Sequence, residues 1–300
     1  MNGIRIGELA DRLGVTTDLL RAWERRHELF DPERTRGGYR LYSPADESRA
    51  RRVLALRARG VPLADAAARV VGARPARPPS SDPLERADLP AFVDRIHAAV
   101  LSFDAVAVNT ALDEAVDVHG RSIGLGGVAI GYLRRLGDEW EAGRVGVAHE
   151  HFASHLIRRR VGDHLLLHPA DGRPTAVLAC PPGERHDIGL LVVAVLLSHE
   201  GWCVRFLGAD TPLPALAAAC AALDPSLVIL SAARPSALVS RARSIRWLAP
   251  RWPVAIGGRG ADAGVAEHLG ANLLPHDVAE APAAAAAILA ARTPTTVGVR

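Results

Sequence analysis

Residues 175–189, TAVLACPPGERHDIG, decide the fold of the second half of the chain. The opening run of small and apolar residues is typical of a strand that is buried on both faces of a sheet. A polar loop follows, and a helix is expected to begin near Asp187. Strand, loop and helix form the repeating unit of a parallel sheet covered by helices. The loop therefore lies at the carboxyl end of a strand, where doubly wound proteins bind their ligands.

The rest of this half repeats the same alternation. Each short apolar run is followed by a helical stretch, and the runs occupy 175–180, 202–207, 227–231, 253–256 and, more weakly, 272–274. The pattern predicts an α/β domain over residues 174–292, built on a doubly wound, parallel, five-stranded, flavodoxin-like sheet. No GxGxxG follows the first strand, which argues against a Rossmann dinucleotide site.

Prolines divide the chain further. Four prolines fall within 73–83, so residues 73–87 are expected to form a linker. Between the linker and residue 168, Leu89, Phe92, Ile96 and Val100 recur at helical spacing, and further helical stretches cover 105–118, 121–139 and 147–166. These predict a four-helix bundle over 88–168. The last residues, 293–300, have no packing pattern and are expected to form a flexible tail.

The composition is that of a multidomain globular protein. The 300 residues suffice for two or three domains, and 49% are hydrophobic. No run of about 18 apolar residues and no signal-peptide core occur, so a cytoplasmic protein without membrane contact is expected. The three cysteines include no CxxC pair, which argues against a disulfide framework and a structural zinc site. All 36 basic residues are arginines but the net charge is only +3, so binding of nucleic acid requires a local cluster.

Residues 1–72 carry such a cluster in a winged helix-turn-helix pattern. Leu9 and Leu13 face inward on a short helix, Gly14 permits a tight turn, and Thr16 or Thr17 caps a second helix. A helix of this size fits the major groove of DNA, and a Gly-Gly hairpin supplies a wing. The residues predicted to contact DNA are Thr16, Thr17, Arg21, Trp23, Arg25, Arg36, Tyr39 and Arg40. The alternative is an arginine-rich solvated helix beside a generic turn.

Segment 4–72 resembles the DNA-binding domain of the MerR family of transcription regulators. The matching pieces are IGELA at 6–10, LRAWERR at 20–26 and GYRLYS at 38–43. The resemblance implies that the partner is double-stranded promoter or operator DNA. Many members continue into a long dimerising helix, which the linker prevents here, so self-association must arise elsewhere.

The loop after the first strand of the sheet contains Glu184-x-His186-x-x-Gly189. An imidazole on such a loop can bind a metal through one ring nitrogen while a carboxylate holds the other N–H. Asp187, next in the sequence, is the candidate for that carboxylate. Gly189 has no side chain, so a large planar ligand can approach the backbone there.

This loop resembles the cobalamin-binding motif of methionine synthase and the mutases. Ser231 follows His186 by 45 residues, and the pair Gly257 and Gly258 begins 26 residues later. The resemblance implies that His186 is the axial ligand of cobalt and that the serine and the two glycines line the channel of the displaced nucleotide tail. The alternative is a flavodoxin-like domain with an incidental loop histidine.

The bundle carries a second pattern, in which Trp140 is followed after nine residues by Glu150 and His151. It resembles the bundle of the CarH/LitR type of cobalamin-dependent photoreceptor repressors. The resemblance implies that the bundle covers the upper face of the corrin, with Trp140 beside the 5′-deoxyadenosyl group of adenosylcobalamin. A core tryptophan with a solvated Glu–His pair is the alternative.

The CarH/LitR relatives also carry a histidine directly after the tryptophan, which becomes the second cobalt ligand after photolysis. This chain has Glu141 at that position. His149, His151 and His155 are alternative ligands, and the sequence does not predict whether light is sensed.

The expected function is that of a cobalamin-dependent repressor and not of an enzyme. Its binding of DNA would be controlled through ligand-dependent assembly into dimers or tetramers. Two alternatives remain open: a cobalamin-dependent methyl-carrier or isomerase subunit, and a regulator that uses the same fold without a cofactor.

Overall fold

The computed structural model describes residues 3–27, 29–30, 32–34, 40–58, 61, 63–71 and 88–292. The predicted linker 73–87, the predicted tail 293–300 and the predicted DNA contacts Arg36 and Tyr39 lie outside these residues, as does the side chain of Arg25. None of the described helices is long and apolar enough to cross a membrane.

The N-terminal module is a winged helix-turn-helix fold. Helix α1 (Ile6–Leu13) ends at Gly14, whose φ of 67° lies in the left-handed region that glycine adopts without strain. Helix α2 (Thr17–His27) is capped by Thr16, whose Oγ1 accepts a hydrogen bond from the Leu19 amide at 3.2 Å. The other elements are the antiparallel wing strands β1 (Glu33–Arg34) and β2 (Arg40–Leu41) and the helices α3 (Pro44–Ala58) and α4 (Leu63–Val71).

Trp23 belongs to the core of this module. Its side chain is fully buried in one apolar cluster with Leu9, Leu20 and Tyr42. The prediction that Trp23 contacts DNA is therefore wrong. Helix α2 is amphipathic and turns its apolar side chains inward, whereas Arg21 on the same helix is exposed.

Four helices form the second domain: α5 (Leu89–Leu101), α6 (Ala105–Ile123), α7 (Ile130–Glu141) and α8 (Val147–Gly162). A π-helical segment, Gly124–Ala129, joins α6 to α7. The backbone at Gly120 is non-helical, with φ of 78°, and this break falls between the stretches predicted at 105–118 and 121–139. The predicted bundle is thus confirmed, with a kink that a glycine permits.

The module contacts the bundle through α6. Helix α2 lies against α6, and Val118 of α6 packs against the core of the module. Arg57, near the end of α3, forms an ion pair with the buried Asp117 of α6. Burial raises the pKa of Asp117 to about 6, although Arg57 acts in the opposite direction.

The C-terminal domain contains the predicted five-stranded sheet. All neighbouring strands are parallel, in the order β4-β3-β5-β6-β7. The strands are β3 (Thr175–Ala179), β4 (Cys203–Gly208), β5 (Leu227–Ser231), β6 (Val254–Gly257) and β7 (Asn272–Leu273). The helices are α9 (Ile188–His199), α10 (Leu213–Leu223), α11 (Pro235–Val239), α12 (Ala242–Leu248), α13 (Ala263–Leu269) and α14 (Ala281–Arg292).

The sheet has a different apolar core on each face. On one face, α9 and α14 share a continuous core with the bundle, which includes Tyr132, Ile157 and Val192. On the other face, α10, α12 and α13 cover the sheet. The bundle is therefore fixed to one face of the sheet domain by apolar burial.

Candidate functional site

Glu184 is the centre of the loop that follows β3. Its side chain is only 5% exposed. Oε1 accepts hydrogen bonds from the backbone N–H of His186 at 2.8 Å and from its ring Nδ1 at 2.6 Å. Oε2 accepts from the backbone N–H of Ala233 at 2.7 Å, in the loop that follows β5. One carboxylate therefore holds the imidazole and ties together the loops after two neighbouring strands.

These contacts determine the tautomer of His186. Burial favours the neutral acid, but the hydrogen bonds from His186 and Ala233 outweigh it and hold the pKa of Glu184 below its ordinary value. A carboxylate can only accept, so Nδ1 of His186 donates to it, and in the neutral imidazole the lone pair lies on Nε2. The imidazole is 78% exposed. This arrangement presents Nε2 as a ligand for a metal.

Asp187 faces a different partner. Its buried side chain, 1% exposed, forms an ion pair through Oδ1 with Arg158 of α8. Within the described residues, its Oδ2 has no hydrogen-bond partner. The prediction that Asp187 holds the ring of His186 is therefore wrong, because Asp187 precedes α9 and its carboxylate points to the bundle. Strand alternation could not have identified Glu184, because the loop turns at Pro181–Glu184 and again at Arg185–Asp187.

The remaining predicted residues of the sheet lie at its carboxyl end. Ser231 and Gly257 end β5 and β6 and are paired in register. A Cβ on Gly258, whose φ is 86°, would lie 2.5 Å from the carbonyl oxygen of Ala232 and 2.8 Å from Oγ of Ser231. Glycine is therefore required where these two loops meet. Gly189 lies in the first turn of α9, and a Cβ added there would lie 4.0 Å from Cδ1 of Ile130 in the bundle.

The predicted cap residues lie on both sides of the turn between α7 and α8. Trp140 in the last turn of α7 is 50% exposed. Glu150 in the first turn of α8 accepts a hydrogen bond from Oγ of Ser154 at 2.8 Å, and His151 beside it is exposed. Among the described residues, no hydrogen bond or ion pair joins these cap residues to His186. The structure brings the cap residues to one end of the bundle but leaves their role as a prediction.

The three histidines proposed as second cobalt ligands differ in their contacts and in their exposure. The ring of His149 stacks on Phe103, with a centroid distance of 4.5 Å and an interplanar angle of 21°. His151 and His155 are exposed, and Nε2 of His151 lies 3.5 Å from Oε2 of Glu150. Glu141 is exposed beside Trp140.

On the winged module, Arg21 and the cap Thr16 are exposed, and Thr17 is half-buried. Arg40 of the wing pairs with Glu24 of α2 at 2.7 Å. Tyr42 also donates its hydroxyl to Glu24, at 2.6 Å. Glu24, which sequence reasoning did not assign, therefore ties the wing to the recognition helix.

Comparisons with known proteins agree with this division. Residues 4–70 match the MerR HTH family of regulatory proteins, and residues 93–162 and 174–289 each match a B12-binding domain. The chain is 36% identical to the HTH-type transcriptional repressor CarA of Myxococcus xanthus, over 86% of this chain and 87% of that protein. It is 34% identical to the repressor CarH of the same organism, over 76% of this chain and 78% of that protein.

The fold of the bundle and sheet has a counterpart among solved structures. The monomethylamine corrinoid protein of Methanosarcina barkeri matches 66% of this chain and 99% of its own, with a TM-score of 0.54 and 16% identity. At that identity the similarity concerns the fold alone. The family matches and the extent of the CarA and CarH alignments carry the assignment. The chain therefore belongs to the MerR family of helix-turn-helix regulatory proteins, as a member that joins its DNA-binding module to B12-binding domains.

Proposed function

We propose that this protein is a transcriptional repressor whose binding to operator DNA is controlled by cobalamin, held by the sheet domain and capped by the bundle. The observation that carries the proposal is the exposed His186, whose Nδ1 is bound by the buried Glu184 so that Nε2 is the ring nitrogen left for a ligand. The domain combination is that of a regulator, and the similar proteins CarA and CarH are repressors and not enzymes.

The residues at this site fit a cobalamin. Nε2 of His186 would hold the cobalt in place of the cofactor's own base, and Gly189 has no side chain to cover the adjacent backbone. Ser231, Gly257 and Gly258 supply the small residues that a nucleotide tail requires at the strand ends. Trp140 offers a flat, half-exposed indole to a nucleoside, and Glu150 with His151 offers polar groups to its edge. Bound adenosylcobalamin would supply a cobalt–carbon bond that light can break.

Control through assembly has a simple physical basis. A single winged module neutralises few phosphates and binds weakly. Two or four modules in one particle bind the same DNA with an avidity that is about 10²–10⁴ higher than a single module achieves. A cofactor that favours dimers or tetramers would therefore act as a switch for repression.

The test is gel filtration and absorption spectroscopy of the full chain in the dark, with and without adenosylcobalamin, and again after green light. We expect a bound-cobalamin spectrum and an earlier elution with the cofactor. A return to the original elution volume after illumination would support light sensing, and a persistent assembly would indicate a ligand sensor that is insensitive to light. An unchanged elution volume without a bound spectrum would contradict the proposal.

DNA binding should depend on Arg21. The Arg21→Ala variant removes a guanidinium from the exposed side of α2, and one such contact contributes about 1–3 kcal/mol. We expect binding to a fragment of the protein's own promoter, measured by mobility shift, to weaken by about 10-fold or more. The matched control is Arg134→Ala, which removes an exposed arginine from α7. Equal binding by both variants would place the DNA contact elsewhere.

A further inference from the structure

One segment of the sheet domain has a charge unlike that of the rest of the chain. Between Asp224 and Asp262 there is no acidic residue, and there are six arginines, at 234, 241, 243, 246, 251 and 259. Since the formal net charge of the whole chain is +3, the remaining residues together carry −3. The positive charge of the protein is therefore concentrated in this segment as well as in the winged module.

The arginines of α12 and the turn after it form one exposed surface. Ile245 and Leu248 of α12 are buried against the sheet, so Arg243, Arg246 and Trp247 face outward. We call Arg243, Arg246, Trp247 and Arg251 the arginine face. It belongs to the layer of helices that covers the sheet on the side away from the bundle.

Two of its guanidinium groups are held in place. The Arg251 guanidinium lies 3.8 Å from the centroid of the Trp247 ring, and it donates a hydrogen bond to the carbonyl of the same residue at 2.7 Å. Arg246 donates to the carbonyl of His268 at 2.6 Å. Trp247 is 49% exposed, although an apolar ring of this size is usually covered. Because these contacts already restrict the two arginine side chains, less conformational entropy is lost when they bind a ligand.

Among the described residues, Arg243 and Arg246 of this face are not paired with nearby acidic residues. Glu267 lines a groove of about 550 Å³ that Arg246 also lines, between α12 and α13. Within the described residues, no ion pair joins Arg243 or Arg246 to a carboxylate. The face therefore presents positive charge to solvent and suits an anionic partner with many phosphates.

We infer that the arginine face binds the phosphate backbone of double-stranded DNA, as a contact additional to that of the winged module. Arginine forms bidentate hydrogen bonds with phosphate oxygens, and such contacts position a protein without reading sequence. Where one duplex reaches both the winged module and this face, the second contact is intramolecular and gains from a high local concentration. The surface is separate from the cobalamin site, so this inference goes beyond the proposed function.

The experiment compares the triple variant Arg243→Gln, Arg246→Gln, Arg251→Gln with the control Arg134→Gln, Arg159→Gln, Arg173→Gln, which removes three exposed arginines elsewhere. Binding of the full chain to a random-sequence duplex of about 40 base pairs is followed by fluorescence anisotropy over a series of KCl concentrations. Each phosphate contact contributes about 0.9 to the slope of log K against log salt. We expect the slope of the triple variant to fall by about 2–3 and that of the control by less than about 1. Equal slopes in the two variants would overturn the inference.

Two further measurements distinguish a DNA contact on the arginine face from self-association and from a defect in the winged module. Sedimentation velocity without DNA should give the same species for the triple variant and the wild type, and a smaller species in the variant would assign the face to self-association and overturn the inference. In an Arg21→Ala background, the remaining non-specific binding should still weaken when the arginine face is neutralised. A loss of binding through the arginine face is therefore distinguishable from a defect in the winged module. If the triple variant does not fold, as judged by circular dichroism, the single charge reversal Arg243→Glu should reduce the slope by about 1 or more, and an unchanged slope would count against the inference.

Discussion

Replacement of Glu184 by glutamine is expected to invert the tautomer of His186 and to weaken cobalamin binding about 10- to 100-fold. In the wild type, the Glu184 carboxylate accepts three hydrogen bonds, two from His186 and one from Ala233. Glutamine has one acceptor oxygen and an NH2 group that can only donate. If the oxygen stays on the Ala233 amide, the NH2 takes the place of Oε1 and faces Nδ1, which must then accept. The ring proton moves to Nε2, and the lone pair for cobalt is lost.

Nitrogen NMR of histidine-labelled protein measures this change without any cofactor, because protonated and unprotonated ring nitrogens have different chemical shifts. The signal of His186 is identified by its loss in the His186→Ala variant. Titration with cobalamin, followed by absorption, then gives the affinity. An unchanged tautomer with unchanged affinity would contradict this prediction, because it would show that the second carboxylate oxygen of Glu184 is not needed to position the imidazole.

Asp210 provides the matched control. Its Oδ1 accepts a hydrogen bond from the Gly183 backbone at 2.6 Å in the same loop, but it does not touch His186. Asp210→Asn keeps an acceptor oxygen, and asparagine tolerates the positive φ of 50° at this position. We expect this variant to retain both the tautomer and the affinity, so a loss in both variants would indicate a general disturbance of the loop.

The parts of the fold that were predicted from sequence depend on local patterns. The strands β3, β5 and β6 are buried on both faces and read as short apolar runs. The break at Gly120 falls between the helical stretches predicted at 105–118 and 121–139. These features require only the periodicity of neighbouring residues.

The errors concern side chains whose partners are distant in sequence. Asp187 is next to His186 in the chain, but its partner is Arg158, 29 residues earlier. Trp23 lies in an arginine-rich helix, and only the packing of Leu9 and Tyr42 around it identifies it as core. The ion pair between Arg57 and Asp117 spans 60 residues, and no local pattern indicates it.

The largest effect on stability is expected from Arg158→Met. The Arg158 side chain is 46% exposed, whereas Asp187 is 1% exposed, so the substitution leaves a buried carboxylate without its cation. We expect the free energy of unfolding to fall by about 2–3 kcal/mol, at the low end for a broken buried ion pair because water can partly replace an exposed arginine. Urea unfolding measures this loss. The neighbouring exposed Arg159→Met is the control and should change stability by less than about 0.5 kcal/mol.

The double variant Arg158→Met, Asp187→Asn isolates the contribution of the ion pair. Asparagine removes the buried charge, so the double variant should recover part of the stability that Arg158→Met loses, with a coupling of about 1–3 kcal/mol. Strictly additive losses would show that the ion pair does not join the bundle to the sheet domain. Because Asp187 directly follows His186, a stranded carboxylate should also disturb the loop that carries the imidazole. Recovery of cobalamin affinity in the double variant, in parallel with stability, would therefore link the docking of the bundle to the position of the metal ligand.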